Sequence, residues 1–266
     1  MLSLLLLAAP ASFAQEGGLE DGSLDFDIGD DIGGPEAMTY TGGLTEKAPG
    51  YVAGKPVTIN HSGGNVSVRC QDAEGISAQL KYSLEGHDGP ALENMGRGIG
   101  LRAWGDSNGG GIQSTVPWKP ASIADAEVPL IVTLPRKADV TITNRGGWIE
   151  VLNCDGKITA NTDQGGVFAS GVLTGFNASS GTGDITIKAK DGTELKYASS
   201  AVASTGNVKV NIPLTISGQL AASGAKVSVY HTVEGNVSDA SVSGSIGSGG
   251  PAIRLQAKGD VEMSTP

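Results

Sequence analysis

From Pro56 onward, apolar and polar residues alternate in short runs, and a glycine introduces most of them. The clearest runs are Gly64-Asn65-Val66-Ser67-Val68, Gly147-Trp148-Ile149-Glu150-Val151, Gly183-Asp184-Ile185-Thr186-Ile187, Gly206-Asn207-Val208-Lys209-Val210 and Gly259-Asp260-Val261-Glu262-Met263, with weaker copies starting at Gly156, Gly166, Gly235 and Gly244. Aliphatic side chains at every second place are the signature of a β-strand with one buried face. The pattern puts Ile149, Val151, Ile185, Ile187, Val208, Val210 and Ile212 inside. It puts Trp148, Glu150, Thr186, Lys188, Lys209 and Asn211 outside.

Spacing turns these strands into an architecture. Repeat glycines fall at 147, 156, 166, 175 and 183, in steps of 9, 10, 9 and 8. A strand of about four residues cannot hide its apolar face alone, so consecutive units must bury each other by stacking. Glycines suit the corners, where the chain turns sharply. Two or three units per turn predict an all-β fold, a right-handed parallel β-helix (β-solenoid) over residues 51–266, with regular coils over 138–266. A β-sandwich would instead need longer antiparallel strands joined by hairpins, without one recurring phrase.

Residues 76–134 repeat less. Alternation at Ile76, Ala78, Leu80 and Tyr82, and again over residues 98–104, predicts longer strands that cross or flank the first coil. Between them a Gly- and Pro-containing connection, Gly86 to Pro90, leads into a weakly helical Ala91–Met95. Leu130–Leu134, bracketed by Pro129 and Pro135, reads as one more strand.

The N-terminal part follows different rules. Leu2–Ala9 is apolar and runs into the small residues Ala11-Ser12-Phe13-Ala14, which predicts an export signal over 1–14. Such a run is shorter than the ~20 residues that span a bilayer, and no later stretch is apolar enough to do so. Of the net charge of −10, residues 15–50 carry nine acids against Lys47. Their low aliphatic content predicts a flexible acidic linker. The body is nearly neutral and lacks the clustered Lys and Arg that phosphate backbones require, which speaks against nucleic acid.

Several of these residues carry a family resemblance. Leu134-Pro135-Arg136-Lys137-Ala138-Asp139-Val140, the ladder of Gly-Asp/Asn-Val/Ile units after it, and Gly250-Pro251-Ala252-Ile253-Arg254-Leu255 followed by Gly259-Asp260-Val261 resemble the bacterial "putative adhesin" family, exported proteins with a right-handed β-helical domain of unknown function. The resemblance spans roughly residues 57–263. It implies adhesion and brings no catalytic residue to any position here.

Candidate chemistry is sparse. Asp155, Asp163, Asp184, Asp191, Asp239 and Asp260 could in principle serve polysaccharide cleavage, but Asp184 and Asp260 share the slot beside a corner glycine, where turn chemistry explains them. His61, His87 and His231 lack metal-ligand spacing and read as solvated or capping residues. No catalytic, cofactor or metal residue is therefore assigned. Cys70 and Cys154 each follow a copy of the phrase at a similar distance, so stacked copies would bring the sulfurs together as a disulfide in an oxidising compartment. Trp148 has outward parity, which suits contact with a sugar or a partner unless residues 76–134 fold over it.

The expected function is an exported, non-enzymatic interaction module acting at the cell surface, in the periplasm or after secretion, with a glycan or an envelope protein as partner. The alternatives are a β-helix carbohydrate-active enzyme, or a structural protein that self-assembles through an open end at Val261–Met263.

Overall fold

The computed structural model describes residues 19–25 and 37–266. The expected export signal lies outside the described residues. Strands β1 (Leu19–Asp25) and β2 (Met38–Ala48) come first, followed by β3 (Val57–His61) and β4 (Val66–Gln71). Then come β5 (Ile76–Gly86), helix α1 (Gly89–Gly98), β6 (Gly100–Gly105), β7 (Gly110–Thr115), β8 (Ile123–Glu127) and β9 (Leu130–Pro135). The repetitive stretch forms β10 (Val140–Asn144), β11 (Ile149–Leu152), β12 (Lys157–Thr162), β13 (Val167–Gly171), β14 (Gly175–Ser180), β15 (Ile185–Ala189), β16 (Ser199–Ala203) and β17 (Val208–Asn211). The chain ends with β18 (Gly218–Ser223), β19 (Val227–Val229), β20 (Val233–Val237), β21 (Ser241–Ile246), β22 (Ala252–Ala257) and β23 (Val261–Ser264).

The fold is all-β apart from α1 and is dominated by two long sheets of 12 and 11 strands, parallel through most of their length. From β10 to β17 successive strands alternate between the sheets, and from β12 onward each pairs in parallel with the strand two places earlier. Val140 lies opposite Ile158 and Ile158 opposite Phe176, a spacing of 18 residues. Ile149, Val167 and Ile185 repeat that spacing in the other sheet. One circuit is thus two glycine phrases. The next circuit takes 23 residues, Ile185 to Val208, because a loop over 190–198 is added. The predicted inward residues Ile149, Val151, Ile185, Ile187, Val208, Val210 and Ile212 are all buried. Each such side chain contributes roughly 1.5–3 kcal/mol.

The phrase glycines form a column through the stack. A Cβ on Gly147 would lie 2.4 Å from the Gly64 carbonyl oxygen, one on Gly165 2.4 Å from that of Gly147, and one on Gly206 2.3 Å from that of Gly183. Gly64, Gly147 and Gly165 also have φ of 92°, 92° and 97°. Backbone-on-backbone approach, as much as left-handed geometry, excludes a side chain here.

At the N-terminal end the chain stacks out of sequence order. β3 lies between β7 and β10, and β4 between β9 and β11. Residues 76–134 therefore do more than flank: β7 and β9 make the circuit that precedes β3 and β4. Beyond it, β5 pairs antiparallel with β9 and with β2 along its whole length. Here the expected linker over 15–50 is corrected, since residues 38–48 are a paired strand. Eight of the nine acids of that region precede Ala37, so its composition hid a nearly neutral segment. Tyr40 anchors this strand, stacked on Tyr82 at 6.1 Å and packed against Gly96 of α1. Helix α1 extends the expected Ala91–Met95; Asp88 caps it by accepting from the Ala91 N–H, and it buries Leu92 and Met95.

The other end repeats the device. β22 and β23 run in parallel between β16/β17 and β18/β19. The expectation that Val261–Met263 lies at an open end is overturned, because β23 is paired on both sides. The stack closes instead with β19 and an antiparallel β20–β21 hairpin on β18. The regular coils expected throughout 138–266 give way to this arrangement after β17.

Candidate functional site

The corner between the two sheets builds a side-chain column next to the glycines: Asn65, Trp148, Gly166, Asp184, Asn207 and Asp260. At Asn65, Asp184 and Asn207 the side chain accepts from the backbone of the next circuit. Asn65 Oδ1 accepts from Trp148 N–H at 2.8 Å, Asp184 Oδ1 from Asn207 N–H at 2.7 Å, and Asn207 Oδ1 from Asp260 N–H at 2.8 Å. Asp139 and Asp155 do the same for Lys157 and Val172. These carboxylates satisfy corner amides that lie outside the strand ladders.

Trp148 breaks the column, and the next slot, Gly166, makes room for it. A Cβ on Gly166 would lie 2.4 Å from Trp148 Cζ3, so the indole rests on bare backbone. Its surface is 52% exposed. Residues 76–134 do not fold over it; Pro129, Leu130 and Ile131 from that stretch line the far rim. Between lies a shallow groove of about 290 Å³. Its floor is one outward row across four circuits, Ile131, Ser67, Glu150 and Phe168, placed side by side by the strand register. At about 4.8 Å per strand the row spans roughly 14 Å. Ser67 donates to Glu150 Oε2 at 3.0 Å, and the Lys188 ammonium sits 5.4 Å from the centre of the Phe168 ring. Among the lining residues Glu150 is the one carboxylate.

Alternation in the sequence marks Trp148 and Glu150 as outward. It does not bring Phe168 and Ile131 to them, since that needs the 18-residue circuit and the out-of-order placement of β9. Trp104 and Trp118 are exposed as well, on the β6 hairpin and on the connection after β7.

Two of the three histidines depart from expectation. His61 and His231 are buried, at 3% and 6% exposure, whereas His87 is at the surface. The burial follows from parity, because His61 ends a strand whose inward residues are Val57 and Ile59. It belongs to an interior polar row, Ser114, His61, Asn144, Thr162 and Ser180, aligned by register at the ends of the strands of one sheet. This row serves the glycine corners: Asn144 Nδ2 donates to the Gly64 carbonyl at 2.9 Å, Thr162 Oγ1 to that of Gly147 at 3.1 Å, and Ser180 Oγ to that of Gly165 at 2.7 Å. In His231, both ring nitrogens are buried without a hydrogen bond.

His61 Nε2 lies 3.0 Å from the Val128 carbonyl, which can only accept, so the proton is on Nε2 and Nδ1 accepts from Ser114 Oγ at 2.5 Å. Desolvation lowers its pKa from 6.5 to about 4, against a smaller raising effect of the Val128 bond. Between those values the unfolded chain takes up a proton that the folded chain refuses. The resulting stability is complete above about pH 6.5 and falls as the pH drops towards 4, by roughly 3 kcal/mol. Denaturant unfolding between pH 7 and 4 is expected to show a steeper pH dependence in the wild type than in His61→Asn. Equal slopes would refute this role.

Cys70 and Cys154 are joined as a disulfide, with Cα atoms 4.9 Å apart. The bond ties the end of β4 to the residues just after β11, two neighbouring circuits whose strands are otherwise 83 residues apart in sequence, as Val66 and Ile149 are. Among the described residues no cluster of three or more His, Cys, Asp or Glu could hold a metal ion, and no helix is long and apolar enough to cross a membrane.

No protein-family model matches the sequence, and no curated protein matches it. Solved structures are similar to it at low identity. A putative cell adhesion protein from Clostridium sporogenes ATCC 15579 is similar at a TM-score of 0.48 and 13% identity, over 84% of this chain and 99% of that one. A putative adhesin from Bacteroides fragilis NCTC 9343 is similar at 0.37 and 13%, over 84% and 97%. A putative lipid binding protein from Parabacteroides distasonis ATCC 8503 is similar at 0.30 and 11%, over 84% and 96%. All three scores fall below 0.5, so the functional reading rests on this chain's own residues.

Proposed function

We propose that this protein is an exported, non-enzymatic, right-handed β-solenoid that works as an adhesin-like interaction module at the cell surface or in the periplasm, with the Trp148 groove as its contact site. The observation that carries the proposal is the pairing of Trp148 with Gly166. A half-exposed indole is held on bare backbone beside an outward row of mixed chemistry, on a support whose strands are locked in register. Rigid sheets are good platforms for such a site because the presented side chains need little further ordering on contact. A disulfide between circuits suits an oxidising compartment, and so supports export.

The non-enzymatic reading is supported by the use of the corner carboxylates. Asp139, Asp155 and Asp184 are engaged by backbone amides, and the groove offers Glu150 alone, whereas glycoside hydrolysis uses two carboxyl groups about 5–10 Å apart. The test has two parts. The full chain is expected to sediment with bacterial envelope fractions, and Trp148→Ala to lose most of that binding at an unchanged unfolding midpoint. Incubation with plant, bacterial and chitinous polysaccharides is expected to release neither reducing ends nor unsaturated uronates. Release of either would replace this proposal with the carbohydrate-active enzyme.

A further inference from the structure

The groove beside Trp148 has a composition that selects among ligand classes. One wall is the indole, an apolar plane with an exposed surface. The floor carries Ile131 and the Phe168 ring at its two ends and Ser67 with Glu150 between them. Glu150 makes no ion pair among the described residues; it accepts one hydroxyl bond, from Ser67, which leaves further lone pairs on a half-buried carboxylate. Asn65 at the rim has its Oδ1 committed to Trp148 N–H and keeps its NH₂ as a donor.

Three ligand classes can be weighed against this arrangement. A quaternary ammonium would use the aromatic rings and Glu150, but the Lys188 ammonium already holds the cation position over Phe168 and places positive charge at that end. An anionic sugar or a phosphate would meet the Glu150 carboxylate with no arginine or lysine among the lining residues to offset it, the Lys188 ammonium being already engaged over the Phe168 ring. A neutral hexopyranose suits both halves. Its C–H face covers the indole, its hydroxyls donate to Glu150 and accept from Asn65, and a volume of about 290 Å³ is at the small end of ligand sites, enough for one or two rings.

We propose that the Trp148–Glu150–Phe168 groove binds a neutral hexose unit of a glycan, stacked on Trp148 and hydrogen-bonded through Glu150. This deepens the interaction-module reading and rests on it. The stack itself supplies geometry rather than chemistry: register fixes Ser67, Glu150 and Phe168 side by side, and Gly166 fixes the tilt of the ring.

The test makes Trp148 its own reporter. Trp104→Phe with Trp118→Phe leaves Trp148 as the single tryptophan of the full chain. Its fluorescence is titrated with cellobiose, lactose, maltose and N,N′-diacetylchitobiose, and separately with choline chloride and galacturonate. A saturable change with at least one neutral disaccharide is expected. Binding is expected to weaken at least ~10-fold in Glu150→Ala, and to a similar degree in Gly166→Ala, whose Cβ would displace both the ring and the Asp184 carbonyl, while Asp184→Ala leaves it unchanged. Retained affinity in Glu150→Ala, a response to choline or galacturonate alone, or no response to any probe would overturn the proposal. If no sugar titrates but Trp148→Ala still abolishes envelope sedimentation, the interaction module stands and its ligand is not a hexose. If sugars titrate while the full chain ignores envelope fractions, the groove stands and the surface role fails. Where a sugar binds, competition by delipidated polysaccharide against intact envelope vesicles tells a free glycan from a lipid-linked one.

Discussion

Serine at Cys154, or reduction of its bond to Cys70, is expected to cost about 4–5 kcal/mol of stability and to lower the melting temperature by on the order of 10 °C. The bond closes a loop with a sequence separation of 84 residues, and the chain-entropy treatment assigns such a loop that magnitude. The structural reason lies in the order of the stack. β4 and β11 are neighbours, yet all of β5 to β10 is threaded between them in sequence. Without the cross-link, the unfolded chain must find this pairing across a long loop, so refolding is expected to slow as well. Thermal unfolding of wild type and Cys154→Ser, with and without reductant, measures it. A midpoint in the variant within a degree or two of wild type would refute the claim.

Removal of residues 259–266 is expected to be at least as damaging. The deletion takes out β23, with Val261 and Met263 fully buried, from a place between β17 and β19. A strand at the end of a stack could be lost at the cost of one interface. Here two interfaces go, and β19 loses its partner. The loss of two large buried side chains alone is worth roughly 5 kcal/mol or more. Limited proteolysis is the sharper readout: cleavage is expected to appear across residues 212–250 while residues 57–189 stay protected. A truncated chain that resists protease throughout would show that β23 is dispensable.

The two predictions depend on a feature that local patterning cannot express. At each end of the parallel stack one circuit is inserted out of sequence order, one place in from the last parallel circuit, β3/β4 at one side and β22/β23 at the other. An alternating run such as Val261-Glu262-Met263 reads identically whether its neighbours are the adjacent units in sequence or units some 50 residues away. The same blindness placed 38–48 in a linker. Gly42 and Gly43 and the charged pair Glu46-Lys47 look unlike a strand, and only the antiparallel partner β5, together with Tyr82 lying over Gly42, makes one of them.

What the sequence alone determined is what short-range stereochemistry controls. Period-two alternation assigned inward and outward residues, including Trp148 and Glu150, because side chains on a strand must point to opposite faces. The corner glycines and their Asx neighbours announced where each strand begins, because close backbone approach and side-chain capping are local demands. The tertiary structure alone decided which runs lie side by side. That choice gave His61 its partners Ser114 and Val128, laid Trp148 on Gly166, and brought Ile131, Ser67, Glu150 and Phe168 into one row. The pairing of parallel strands is set by total burial and register across the whole stack, a property that no single run of residues contains.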